Sequence, residues 1–217
     1  MNADPGGSEL AVVARALAKT GLVDAFGHVS ERLGDELALI TPATPMSEVR
    51  SSDQLVELPL GEIEELPAGA PKEAWVHWAI YRARPEVGAI CRAQPPSPLA
   101  VAAVADELPA VLGQGAIAGA PVPVYPDSRL VREPGRAAEL AAALGDAPAL
   151  IMRGNGALAT GSTAGRALAR MVLLERSADT YLRAAATGTP RPLSAEEAAT
   201  WQAAGDELLE RLWHHLR

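Results

Sequence analysis

At 217 residues, with 48% hydrophobic side chains but only 4% aromatic ones, the chain fits one domain whose core must be built from Ala, Leu and Val. A formal charge of −8 and a pI near 5.1 argue against nucleic acid or an anionic membrane as partner, since both need a basic face. The first twenty residues carry Asp4 and Glu9 and no apolar segment, no run approaches the ~20 apolar residues of a membrane span, and Cys91 is the sole cysteine; a cytoplasmic protein without leader, disulfide or thiolate cluster is the expectation.

In chain order, Ser8 is positioned to cap a first helix in which Leu10, Val13, Ala14 and Leu17 recur at helical spacing, and Gly21 stops it. Residues 26–40 alternate and turn at Gly34-Asp35, which predicts a hairpin. Thr41 to Ser52 is a Pro- and Ser-rich loop, and Leu55 to Leu60 is a short strand before the Gly61 turn. Pro71 opens a helix through Arg82, as proline is tolerated at a first helical position, and Pro85 ends it. Val87 to Cys91 is a strand and Ser97 to Ala105 a helix. Val122 to Tyr125 is a strand, Glu133 to Leu144 a helix closed by Gly145, and Ala149 to Met152 a buried strand. After the stretch containing Gly154, Gly156 and Gly161, a long helix runs from about Ser162 to Ala186. Ser194-Ala-Glu-Glu197 is a capping box that starts one C-terminal helix over 194–216, with Leu208, Leu209, Leu212 and Trp213 on one face. Many links are too short for parallel crossovers, so the sheet is expected to be mixed or antiparallel, between helices. No repeat or long linker divides residues 1–217.

Several residues suit chemistry. Glu73 and His77, four apart on one helix, share a face. Glu73 is either a proton-transfer carboxylate or an acid favoured by a helix start, and His77 is read as a packed core ring. Arg92 can hold a carboxylate or enolate through its guanidinium fork, and Gln94, two residues on, would face the same side. Asn155, between two glycines, either shapes a turn or stabilises an oxyanion. His28 is an acid/base at neutral pH or a structural ring in the hairpin. Lys72 and Arg153 are further cations that could meet an anion or simply face solvent.

Four segments carry a family resemblance: Ala25-Phe-Gly-His28-Val-Ser30, Glu73-Ala-Trp-Val-His77, Ala89-Ile-Cys-Arg92-Ala-Gln94-Pro-Pro-Ser97 and Ile151-Met-Arg-Gly-Asn155-Gly156. Together they resemble the class II aldolase/adducin family over about residues 8–192. The resemblance implies a single-domain α/β/α sandwich with a mixed, mostly antiparallel sheet, a general acid/base at Glu73, and a homotetramer with its pocket near a subunit boundary. In the family, His-x-His and His-Gly motifs supply three imidazoles to a divalent metal; here those positions are Arg92, Gln94 and Asn155. The Gly27-His28-Val-Ser30 variant is similar to a branch that includes dihydroxyphthalate decarboxylases and some tailoring enzymes of secondary metabolism.

The expectation is therefore a lyase without metal or other cofactor. Glu73, His28 and Asn155 would be catalytic, and Arg92, Gln94, Lys72 and Arg153 would bind a small anionic carbonyl or hydroxy-acid substrate. A non-catalytic binding or scaffolding protein is the rival. A third reading keeps a metal through Glu73, His28 and His77, with Arg92 standing unfavourably beside it.

Overall fold

The computed structural model describes residues 5–217, with side chains from Glu9 onward. Its framework is an eight-stranded sheet in the order β3-β2-β1-β4-β8-β7-β6-β5. The strands are β1 (His28–Arg32), β2 (Leu37–Ile40), β3 (Val56–Pro59), β4 (Ala89–Ala93), β5 (Glu107–Leu108), β6 (Val122–Tyr125), β7 (Ala149–Met152) and β8 (Gly156–Gly161). Only β6 and β7 pair in parallel; the remaining neighbours are antiparallel, as the short links require.

Strand alternation sorts the core into two layers. Ala89, Cys91 and Ala93 of β4, with Ala157 and Ala159 of β8, join the larger core. It also includes α1 (Pro5–Lys19), α3 (Pro96–Ala102), α4 (Gly113–Ala118), α6 (Ala164–Thr187) and α8 (Gly205–Leu216). Ile90 and Leu158 point the other way, against α2 (Ala74–Ala83) and α5 (Pro134–Leu144). The small alanines of β4 and β8 let α6 lie close on the sheet. The single-domain sandwich of the sequence reading is thus the observed architecture.

Several boundaries differ from expectation. The first helix begins at Pro5, so Ser8 lies inside it rather than capping it. The second starts at Ala74 instead of Pro71, with Glu73 as its N-cap residue. β4 runs two residues later than expected, which puts Arg92 inside the strand and leaves Gln94 just beyond it. The helix expected over 97–105 spans Pro96–Ala102.

The expected C-terminal helix is two, α7 (Ala195–Ala203) and α8, broken where Ala204 leaves helical geometry before Gly205. Glycine at that point is a poor helix former, and the break lets α8 fold onto α6. There Trp213 packs over Gly165, whose missing Cβ would otherwise stand 2.5 Å from the indole. Trp213 is 2% exposed, so it offers no aromatic surface to a partner, whereas Trp201 remains partly exposed. Ser194 forms the expected capping box with Glu197.

Candidate active site

Two periodicities, a strand register and a turn meet at one end of β1. His28 and Ser30, two apart on β1, face α2, while Val29 between them enters the opposite core. On α2 and its cap, Glu73, His77 and Tyr81 recur every four residues and so share a face. Antiparallel register sets Arg92 of β4 directly opposite His28. Asn155 arrives from the β7–β8 turn, closed by a bond from its N–H to Met152 O. That turn needs glycine at 156. The residue has φ 143°, and a Cβ there would lie 2.3 Å from Ala93 O.

Glu73 is the hub. Its Oε2 lies 3.2 Å from Arg92 Nη2 and 3.5 Å from His28 Nε2, and its Oε1 accepts a 3.3 Å bond from Asn155 Nδ2. Arg92 Nη2 also donates to Asn155 Oδ1 (2.5 Å) and to its backbone carbonyl (2.9 Å). Asn155 thus presents its oxygen to the guanidinium and its NH2 to the carboxylate, an orientation dictated by those two charges. Burial by itself would push the Glu73 carboxyl up. The His28 hydrogen bond, the Arg92 charge and the Asn155 amide outweigh burial and hold it at about 2, so Glu73 is ionised at neutral pH.

Behind Glu73 runs a buried chain. His28 Nδ1 lies 2.6 Å from His77 Nε2, His77 Nδ1 lies 2.6 Å from Ser30 Oγ, and Ser30 Oγ lies 2.7 Å from Tyr81 Oη. Burial lowers both histidines from their ordinary value, His77 well below it, and both rings are neutral at pH 7. The Arg32 guanidinium covers the Tyr81 ring at 4.8 Å.

A cavity of about 280 Å³ opens on this cluster, lined in part by Phe26, His28, Thr44, Lys72, Glu73, Arg92 and Arg132. Three cations therefore face one carboxylate. Thr44 Oγ1 and Arg92 Nε are buried, and neither has a hydrogen-bond partner among the described residues. Phe26 is 67% exposed at the mouth.

The structure brings together His28, Glu73, Arg92 and Asn155, with Lys72 on the cavity wall. It does not bring Gln94 or Arg153 to them. Gln94 is half-buried beside Gly156, outside the cavity lining. Arg153 turns away, donating to Ala102 O and reaching Asp106. Reasoning from sequence missed Arg132 and Phe26 as cavity residues and Ser30 and Tyr81 as partners of the histidines. The last two carried a signal, the i, i+2 spacing on β1 matched to i, i+4, i+8 on α2. Arg132 sits in an irregular loop with no periodicity to mark it.

The residues at the family's metal positions do not fit a divalent ion. A guanidinium has no lone pair to give, and Arg92 Nη2 already occupies Glu73 Oε2 and Asn155 Oδ1. His77 cannot substitute as a ligand, because His28 and Ser30 take both its ring nitrogens.

Residues 8–182 match the model of the class II aldolase and adducin N-terminal domain. The chain is 31% identical over 218 residues to a 3,4-dihydroxyphthalate decarboxylase of Terrabacter sp. (strain DBF63), covering 93% of this chain and 91% of that protein. A protein of the same name from Arthrobacter keyseri is 28% identical over 194 residues, covering 82% and 78%. Among solved structures, the L-fuculose 1-phosphate aldolase of Glaciozyma antarctica PI12 superimposes with a TM-score of 0.80 over 97% of this chain and 88% of that one. At 21% identity, that likeness speaks for the fold alone. The chain belongs to the class II aldolase and adducin family.

Proposed function

We propose that the protein is a metal-independent lyase that decarboxylates a small hydroxylated carboxylic acid, most simply an aromatic acid with a hydroxyl ortho to the leaving carboxylate. The observation that carries the proposal is an ionised Glu73 held between Arg92, His28 and Asn155 on a cavity wall that also bears Lys72 and Arg132. Such a wall binds an anion, and its carboxylate touches the Arg92 guanidinium. The naming of the relatives as decarboxylases supports the reaction class.

In this reading Lys72 and Arg132 hold a carboxylate of the substrate, and Phe26 covers the ring. Glu73 takes the hydroxyl proton, and the oxyanion lies against Arg92. Charge passes to the carbon that bears the leaving carboxylate, and Glu73 returns the proton there. The resulting β-keto acid breaks its C–C bond, releasing CO2. The electron pair returns to the oxygen beside Arg92, and water protonates the product. The guanidinium supplies the charge that the family's metal supplies elsewhere.

The exposed apolar side chain of Phe26 on the cavity wall favours a homo-oligomer, a tetramer on the family's pattern, with the mouth near a subunit boundary. No helix among the described residues is long and apolar enough to cross a membrane. A cytoplasmic location is part of the same proposal.

The test is direct. Chelator-treated protein is incubated with hydroxylated aromatic carboxylates, 3,4-dihydroxyphthalate included, and CO2 is measured. Release above the level of Glu73→Gln protein supports the reading. No release from any hydroxy acid would favour the rival reading, a non-catalytic protein that keeps the fold.

A further inference from the structure

We infer that His28 acts as a fixed hydrogen-bond donor to a substrate oxygen, not as a base, and that Tyr81, Ser30 and His77 are positioning residues that hold it in the donor tautomer. The inference rests on the cavity being the active site and assigns a role inside it.

Each short contact in the chain Tyr81–Ser30–His77–His28 needs one donor and one acceptor. Both rings are neutral, so each has one N–H and one lone pair. The two rings can then be polarised in only two ways. In the first, Tyr81 O–H donates to Ser30 Oγ, Ser30 O–H to His77 Nδ1, His77 Nε2–H to His28 Nδ1, and His28 Nε2–H points at Glu73 Oε2. Every donor within the chain has an acceptor, and the terminal His28 N–H faces the carboxylate at 3.5 Å. In the second, both rings are reversed. The His28 Nε2 lone pair then faces the Glu73 carboxylate, and either Tyr81 O–H or, where Ser30 Oγ accepts from both neighbours, Ser30 O–H is left without an acceptor among the described residues. Both faults are buried, and each leaves a polar group unsatisfied. The first arrangement is the one the site permits.

Two further observations define the role. His28 Nε2 is buried with nothing closer than Glu73 Oε2 at 3.5 Å, long for a hydrogen bond, and His28 lines the cavity. The N–H is thus available to an incoming oxygen beside Glu73. The chain also cannot relay a proton outward. If His28 released its Nε2 proton and each link shifted to compensate, the deficit would end as a phenolate on Tyr81. Burial there raises the phenol well above its ordinary value. His28 therefore keeps its proton, and the proton that moves in turnover is the one that Glu73 takes and returns.

The test reads the tautomers in the full-length protein without substrate, so it gives an answer whether or not decarboxylation is the reaction. Protein labelled with 15N-histidine is studied by two-bond 15N–1H correlation near pH 8, with His28→Gln and His77→Gln used to assign the two buried rings. The inference requires both rings neutral with the proton on Nε2. A proton on Nδ1 of His28, or an imidazolium there, overturns it. Kinetics of Ser30→Ala give the second readout. Cutting the chain should lower kcat by about 10–100-fold, as loss of a ring-orienting partner does at other histidine sites, with KM little changed. Ser30→Thr, which restores a hydroxyl, should recover most of the loss. Native kcat in Ser30→Ala removes the positioning role.

Discussion

Glu73 Oε2 and Arg92 Nη2 lie 3.2 Å apart, one at the start of α2 and the other inside β4, and they answer each other's burial. The guanidinium is 3% exposed and would be costly there without a carboxylate. Glu73, itself largely buried, stays ionised because of Arg92 and His28. Removing either partner leaves the other as an uncompensated charge at the cavity floor, so the pair should behave as a unit.

Glu73→Gln keeps the size and most of the hydrogen bonding while removing the base. Turnover should fall by ~10²–10⁴ with the fold intact, read by steady-state kinetics beside circular dichroism. Normal turnover on the true substrate would transfer the proton-transfer role elsewhere.

Arg92→Gln should move the acid limb of the pH–rate profile upward. With Arg92 present the Glu73 carboxyl titrates at about 2, and the base stays ionised through mildly acidic pH. Without the guanidinium, burial is opposed only by His28 and Asn155, and the limb should rise toward the ordinary carboxyl value of 4.5. An unmoved limb would mean that Glu73 is not the titrating base.

Stability should also depend on pH, with a definite sign. His28 and His77 titrate below their ordinary 6.5 when folded, so below that pH the unfolded chain binds protons that the folded one refuses. Stability then falls as pH drops below 6.5, and the melting temperature should decline between pH 7 and 5. Glu73 adds a second loss from about pH 4.5 down to 2, because its folded value is depressed. His77→Gln should flatten the upper part of the decline. A melting temperature that rises on acidification to pH 5 would contradict the neutral buried rings.

Asn155→Ala removes the amide that hydrogen-bonds both Arg92 and Glu73 and orients them. Turnover should drop by ~10²–10³ if that amide also meets the developing oxyanion. A change in stability alone would confine Asn155 to shaping the Gly154–Gly156 turn.

Much of this was legible in the chain, and the failures have local causes. The β1–β2 hairpin, β7 and α5 follow their periodicity and capping closely. β8 was invisible, because Gly156-Ala-Leu-Ala-Thr-Gly161 has little intrinsic strand preference and becomes a strand only between β4 and β7. Gln94 was expected beside Arg92 from alternation, but the ladder stops at Ala93 and alternation loses its force there. Glu73, Arg92, His28 and Asn155 were all named from sequence. Their mutual arrangement depended on sheet register, and no single segment encodes register.

The oligomer is tested by light scattering at micromolar concentration. A tetramer of the 22.5 kDa chain is the expected state, and a monomer would remove the proposed subunit boundary from the cavity mouth.

The measurement closest to the central claim is CO2 release from an ortho-hydroxy aromatic acid by protein stripped with a chelator and verified metal-free by elemental analysis. Turnover should equal that of untreated protein and be abolished by Glu73→Gln. Turnover lost on chelation and restored by zinc would show that Arg92 has not replaced the metal.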